Sequence, residues 1–224
     1  MNTDKQTMLS DAVSRIRSGS TVMVGGFMTV GTPEDLIDEL VRQQQGDLRV
    51  VCNDAGVPGA GVGKLVRSEQ LTAFVTSHIG LNPEMGQAMN NGRIAVELVP
   101  QGTLAERIRS AGAGLGGVLT PTGVGTIVQE GKQLVTVAGR DYLLELPLRG
   151  DVALIKASVG DRMGNLCFNR SARNFNPLMA MACHYVIAQV DEIVEIGRID
   201  PDSVMLPGIL VDALVLAGEG ARNG

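Results

Sequence analysis

The residues Thr21 to Ile37 read TVMVGGFMTVGTPEDLI, in which Gly25, Gly26 and Gly31 bracket a tip made of Phe27, Met28, Thr29 and Val30. Glycine accepts positive φ and leaves no Cβ in the way, so a ligand can come close to the main chain there. Backbone N–H groups in such a loop, next to a helix N-terminus, can hold an anion. A tight turn with no ligand uses glycine for the same reasons, and both readings stand at this point. The loop lacks the Gly-Lys-Ser/Thr ending of a phosphate-binding P-loop, and its Gly-Gly-x4-Gly spacing is not Gly-x-Gly-x-x-Gly. Nucleoside triphosphates and NAD are therefore disfavoured.

Other reactive groups are sparse. His78 and His184 give too little imidazole for a metal site, and Cys52, Cys167 and Cys183 are odd in number and far apart. The cysteines read as buried thiols rather than disulfides or zinc ligands. No nucleophile elbow occurs, and Ser77-His78 reads as the end of a strand. Glu84 in LNPEMG and Glu145 in LLELPL lie among apolar residues, where a carboxylate needs partners or a raised pKa. Glu84 reads as a helix-start residue after Pro83, and Glu145 as an outward strand residue. No side chain presents itself as a nucleophile.

The elements that position these groups alternate. Val22 to Val24 form a buried strand, and a helix follows with Thr32 as N-cap, Pro33 in the first turn and Asp35 completing a capping box. Leu36, Ile37, Leu40 and Val41 make its apolar stripe, leaving Asp38, Glu39 and Arg42 to solvent. A second strand, Leu48 to Cys52, ends in Asn53-Asp54 and a further glycine-rich loop before a helix near Lys64. LTAFVTSHIG and RIAVELVPQG repeat the pattern, and Leu104, Ile108 and Ala111 have helical spacing. Gly112 to Thr126 is expected to be one long loop, followed by a hairpin turned at Ala138-Gly139-Arg140. VALIKA and YVIAQV supply later strands, with an apolar helix from Leu178 to Cys183 between them. Strands alternating with helices imply a mostly parallel sheet covered on both faces, and ligands on such sheets collect at the carboxyl ends of strands.

The totals agree. The 224 residues are 44% hydrophobic with ten Met and no Trp, which suits an aliphatic core in a single domain over 1–216, with 217–224 as a loose tail. A net charge of −5 and the lack of any Lys/Arg run argue against nucleic acid. The N-terminal MNTDKQTMLSDAV has no signal-peptide core, and no apolar run approaches the roughly 20 residues that span a bilayer. A cytoplasmic protein without membrane attachment is expected.

Several long motifs resemble family I coenzyme A transferases: GGFMTVGTP, VPQGTLAERIRSAGAGLGGVLTPTGVGT, LLELPLRGDVALI, SARNFNPLMAMA and DEIVEIGRIDPDSVMLPGILVD. They fall in order along almost the whole chain and are similar to the α subunit of acetate, butyrate–acetoacetate or acetoacetyl-CoA transferases. Succinyl-CoA:3-oxoacid and 3-oxoadipate transferases are alternatives in the same class. A ligand sensor without catalytic activity is an alternative in another, and a sugar-phosphate isomerase is disfavoured for want of a Lys/Arg cluster.

The resemblance implies a three-layer α/β/α fold shared with sugar-phosphate isomerases, of the NagB/RpiA/CoA transferase type. It implies no permanently bound cofactor and no metal, with coenzyme A as a substrate. The catalytic glutamate of the family lies in a Ser-Glu-Asn-Gly string on the β subunit, which this chain lacks. A homologous β subunit is thus implied as partner, usually as α2β2, with acyl-CoA and short carboxylates as substrates. By the same resemblance Gly25 to Gly31 and Asn53 lie close to CoA. Gln101 holds the partner's glutamate or the bound acid, and Gly116-Gly117 line the same cleft.

Overall fold

The computed structural model describes residues 4–218. The apolar runs of the first half become strands β1 (Thr21–Val24), β2 (Leu48–Cys52), β3 (Leu71–Thr76) and β4 (Ala95–Leu98). After a short α1 (Leu9–Val13), the helices α2 (Glu34–Gln43), α3 (Gly63–Arg67), α4 (Pro83–Asn90) and α5 (Gln101–Gly112) follow those four strands in turn. The second half adds the long strands β8 (Gly150–Asp161) and β10 (Cys183–Val194), helix α6 (Asn176–Ala182) between them, and β11 (Ala213–Leu216). The strands lie in the order β11-β10-β8-β1-β2-β3-β4, all parallel, with the short β9 (Leu166–Cys167) added antiparallel to β8.

Alternation along the strands builds two cores. Val22, Val24, Val50 and Leu154 face one cluster with Val13, Leu40, Leu65 and Met85 of α1 to α4. Met23, Val51, Ala153 and Ile155 face the other with Leu104 and Ile108 of α5 and Met179 of α6. Two buried faces explain why these strands read as continuous apolar runs. The α/β/α layering is the expected one. Chain order reverses between β1 and β8, which makes the carboxyl end of β1 the switch point where open sheets bind ligands.

Several local expectations change. Thr32 does not cap α2, because its side chain is turned toward Gly26; the N–H groups of Asp35 and Leu36 donate instead to Oε1 of buried Gln189 on β10, at 3.0 and 3.4 Å. Asp35 is not part of a capping box either, since its Oδ2 accepts from the Gly218 N–H at 2.7 Å. Glu39 is buried rather than solvated, with its carboxylate taking Arg42 Nε at 2.7 Å and Gln43 Nε2.

The expected loop of 112–126 contains a strand, β5 (Val118–Thr120), which joins β6 (Leu134–Val137) and β7 (Arg140–Glu145) in a separate antiparallel sheet ordered β5-β7-β6. Three residues between glycine groups are too few to show a period in sequence. The hairpin turns at Ala138 and Gly139, both with positive φ as a type I′ turn requires, while Arg140 is already paired to Val137. Glu145 points inward, not outward: it is buried between Lys132 Nζ at 2.6 Å and Arg107 Nε at 4.0 Å. Asn82 caps α4, and Glu84 pairs with Arg67 of α3 at 2.5 Å. The apolar helix of the second half starts at Asn176 and stops at Ala182, and Cys183 begins β10. In the expected tail, Ala217 and Gly218 are hydrogen-bonded to Val190 and Asp35, and 219–224 lie outside the described residues. Among the described residues no helix is long and apolar enough to cross a membrane.

Candidate active site

The glycine loop leaves β1 at the switch point and closes on itself: Phe27 and Val30 exchange two N–H to O=C bonds of 3.0 Å. Each glycine around this tip meets a group of the same chain. A Cβ on Gly25 would fall 1.8 Å from Oδ1 of Asn176. On Gly26, at φ +125°, it would fall 2.3 Å from the Thr32 hydroxyl, and on Gly31, at φ +72°, 2.7 Å from the Ala172 carbonyl. The missing side chains thus make room for the 310 turn Arg170–Arg173 and for α6. What is left free is the tip, where Phe27 and Met28 are each 43% exposed and Val30 is 49%.

Three side chains from distant parts of the chain fix that tip. Asn174 Nδ2 donates to the Val30 carbonyl at 3.0 Å, and its Oδ1 accepts the Gly26 N–H at 3.2 Å. Asn176, fully buried, accepts the Lys156 N–H of β8 at 3.0 Å and donates to the Gly31 carbonyl at 3.0 Å. It thereby satisfies the β8 edge where β1 has ended. Asp54 holds the other side: its Oδ2 accepts the Met28 N–H at 2.6 Å, keeping Met28 in the left-handed region at φ +57°.

Asp54 also joins the tip to Asn53 and Gln101. Its Oδ2 accepts Asn53 Nδ2 at 2.8 Å, and its Oδ1 accepts the Gly56 N–H at 2.9 Å. Asn53 Oδ1 in turn accepts Gln101 Nε2 at 2.7 Å. The carboxylate, having no proton to give, orients the Asn53 amide, and that amide sets which face of the Gln101 amide points outward. Gln101 opens α5 and is exposed; Asn53 is buried at the end of β2, where Ser77 Oγ donates to its carbonyl at 2.6 Å. Ser77 is thus a strand-end residue anchoring β2 to β3.

The loop after β2 mirrors the one after β1. Val57 and Ala60 form the same bridge as Phe27 and Val30, flanked by Gly56 and Gly61 at positive φ as Gly26 and Gly31 flank theirs. The two loops are tied together by Glu34, which accepts the Gly61 N–H at 2.9 Å and pairs with Lys64 at 2.7 Å.

The structure therefore brings the Gly25–Gly31 loop, Asn53 and Gln101 into one connected unit. Gly116 and Gly117 follow the far end of α5, a helix of twelve residues and so roughly 18 Å long. No hydrogen bond joins them to that unit among the described residues, and Gly117 is adapted to β7, where its Cβ would lie 2.7 Å from the Glu145 carbonyl. The α2 N-terminus, its first N–H groups taken by Gln189, has fewer spare donors than the Thr32-Pro33 start suggests. Asp54, Asn174, Asn176 and Gln189 escaped the sequence reading. Asp54 had a signal in being a polar residue at a strand's carboxyl end; the others act over more than a hundred positions, which spacing does not reveal.

Thiol and metal chemistry find no support. Burial pushes the Cys52 and Cys183 thiols up to about 12, and no group of three or more metal-type side chains gathers among the described residues.

Residues 6–217 match the family model described as coenzyme A transferase. The chain belongs to the coenzyme A transferase family. It is 48% identical over 215 residues to the alpha chain of the acetate CoA-transferase of Escherichia coli (strain K12), covering 96% of this chain and 98% of that one. It is 45% identical over 202 residues to the alpha chain of the acetoacetyl-CoA:acetate/butyrate CoA transferase of Clostridium acetobutylicum, covering 90% and 93%. In fold it is similar to an acyl-CoA transferase apoenzyme from Escherichia coli O157:H7, with a TM-score of 0.86 at 23% identity, covering 96% of this chain and 47% of that longer one. The chain is thus of the α type within a heteromeric CoA-transferase.

Proposed function

We propose that this chain is the α half of a heteromeric CoA-transferase that moves CoA from a short acyl-CoA or acetoacetyl-CoA to acetate. One observation carries this reading. Asp54, the carboxylate that touches the tip, is buried and engaged by three N–H donors, while the tip beside it is exposed. A carboxylate so committed is a poor nucleophile, and an exposed apolar tip calls for a cover. A β subunit supplies both the cover and a reactive glutamate.

In the reaction that follows, the partner's glutamate carboxylate attacks the acyl-CoA carbonyl, and the C–S bond breaks to release CoA thiolate and an acyl–glutamyl anhydride. The thiolate attacks the glutamyl carbonyl and frees the first acid, leaving a glutamyl–CoA thioester. Acetate then attacks that thioester and the steps run in reverse, ending with acetyl-CoA and free glutamate. No ATP is consumed because one thioester replaces another.

This chain's part is to present donors. Gly25 to Gly31 brings the tip's main chain against the thioester end of CoA, where the Thr29 N–H has no protein acceptor among the described residues. One preorganised donor to an oxyanion is worth roughly 3 kcal/mol. Gln101, aimed by Asn53 and Asp54, holds the glutamate or the acid, whereas Gly116-Gly117, past the other end of α5, stand apart from that unit.

The test is to coexpress the chain with a β subunit carrying Ser-Glu-Asn-Gly, and to assay each chain alone and both together. Acetoacetyl-CoA and succinyl-CoA serve as donors, with acetate and 3-oxoadipate as acceptors. Turnover is expected from the pair, with the CoA thioester trapped by borohydride on the β chain. Turnover by this chain alone, or a trapped adduct on it, refutes the half-site.

A further inference from the structure

Resting on the CoA-transferase reading, we propose that the cavity between the start of α5 and strand β5 receives the chain of the carboxylic acid, and that the Thr103 hydroxyl is its donor to the oxo group of a 3-oxoacid. The cavity has a volume of about 300 Å3 and is walled by Gly102, Thr103 and Glu106 of α5 on one side and by Leu119, Thr120 and Thr122 on the other. At roughly 30 Å3 for each water, it has room for about ten water-sized groups and so for a short acid. Thr103 is the decisive residue. It is 3% exposed, and its hydroxyl oxygen has no hydrogen-bond partner, not even the Val99 carbonyl one turn back, which is the usual resort of a threonine inside a helix. Buried hydroxyls are nearly always bonded, so one left over on the wall of a cavity points to a group that the cavity receives. The other buried oxygens without such a partner stand differently: Glu34 and Glu84 are ion-paired with Lys64 and Arg67, and Gln45 precedes β2 at the amino end of the sheet, away from the site.

The cavity adjoins the proposed site through α5. Gln101, the residue proposed to hold the acid, opens that helix, and Thr103 follows two residues later, roughly 3 Å along the axis. The N–H groups of Gln101, Gly102 and Thr103 have no protein acceptor among the described residues; the first bonded donor of the helix is Leu104, to the Pro100 carbonyl at 2.9 Å. Gly102 between them is exposed, with nothing within 4 Å of the place its Cβ would take. A carboxylate at the helix start can therefore pass its chain over Gly102 and onto the wall that carries Thr103. The rest of the lining suits an uncharged chain. Leu119 is apolar, the Glu106 carboxylate is engaged by Arg109 at 2.7 Å, and the Thr120 hydroxyl already accepts the Thr122 N–H at 3.2 Å. Acetoacetate offers a carbonyl oxygen to the idle hydroxyl, whereas butyrate, of the same chain length, offers a methylene and leaves it unbonded. Discrimination between the two acids then comes from one hydrogen bond rather than from size.

The experiment compares the assembled αβ enzyme with its T103V and T103S variants, using acetate, butyrate and acetoacetate as acceptors. T103V keeps the shape of the side chain and removes the hydroxyl. Its kcat/KM for acetoacetate is expected to fall roughly tenfold, mainly through KM, while acetate and butyrate stay within about twofold of wild type. T103S, which keeps the hydroxyl, should bring acetoacetate back to within about threefold. Thermal unfolding of T103V should be unchanged or raised, because the hydroxyl it removes has no partner to lose. A further variant, L119W, puts bulk into the cavity at a residue 43% exposed, and should raise KM for butyrate and acetoacetate about fivefold or more while sparing acetate. Equal losses of T103V on all three acids, no loss on acetoacetate, or a lowered unfolding temperature overturn the proposal, as does L119W with unchanged KM for the longer acids. If the wild-type pair transfers no CoA, the functional reading fails, and calorimetry decides the subsite separately: acetoacetate should bind the wild-type pair about tenfold more tightly than T103V, and equal binding overturns the proposal.

Discussion

Replacing Asp54 by alanine removes three hydrogen bonds at once, to the N–H of Met28, the amide of Asn53 and the N–H of Gly56. Hydrogen bonds to a charged acceptor contribute about 1.5–3 kcal/mol each, although water reaching the part-buried Met28 N–H will recover some of that. Met28 also loses the bond that holds it at φ +57°, a conformation costing about 1 kcal/mol or more for a non-glycine residue. A loss of roughly 2–4 kcal/mol in the population of the ordered tip follows, which at about 1.4 kcal/mol per factor of ten lowers kcat/KM roughly 30- to 1000-fold. D54N keeps an acceptor oxygen for one side but turns an NH2 group toward a donor on the other, so a loss of about tenfold is expected. The assay is steady-state CoA transfer by the αβ enzyme, alongside hydrogen exchange of the Phe27–Gly31 amides. Faster exchange confined to that loop, with thermal unfolding lowered by only a few degrees, identifies Asp54 as a positioning residue. If D54A orders the tip normally and keeps kcat/KM within twofold, the coupling of Asp54, Asn53 and Gln101 to turnover is wrong.

Three other outcomes are expected. G25A drives a Cβ to 1.8 Å from Asn176 Oδ1 and should destabilise the chain by about 2–4 kcal/mol; combining it with N176A should cost less than the sum of the two, which denaturant melts of all three variants will measure. Hydrogen bonding from the Arg42 guanidinium holds the Glu39 carboxyl below its usual range against the opposing effect of burial. Its folded-state pKa is therefore the lower one, so its contribution is present above pH about 4.5 and is lost as pH falls through the depressed value; E39Q should flatten the acid limb of stability measured from pH 7 to 3. Iodoacetamide at pH 8 should label the partly exposed Cys167 first and leave Cys52 and Cys183, both pushed up to about 12, unmodified until unfolding, as peptide mass spectrometry will show.

The parallel sheet was legible because burial on both faces turns strands into apolar runs, and β2 has the bounds its residues suggest. Legibility failed where a residue's partner is remote. Glu145 looks like an outward strand residue by alternation, yet Arg107 of α5 and Lys132 are brought to its carboxylate and compensate the buried charge. Thr32-Pro33 looks like a helix cap, but Gln189, more than 150 residues away, takes the donors instead. Local rules report propensity, and tertiary contacts override it when a better acceptor is brought into reach.

The glycine loop shows the same limit from the functional side. Glycine marks a close approach without saying what approaches, and here Gly25, Gly26 and Gly31 accommodate Asn176, Thr32 and Ala172 of the same chain. This changes what the loop would contribute under the proposed function. If a ligand occupied the space left by the glycines, the tip would be shaped only on binding. With protein groups filling that space, the tip stands preorganised before substrate arrives, clamped by Asp54 on one side and Asn174 on the other. Preorganised donors cost no rearrangement in the transition state, which is the condition under which oxyanion stabilisation is strongest. On the proposed function, the glycines would act on the reaction through the packing behind the loop.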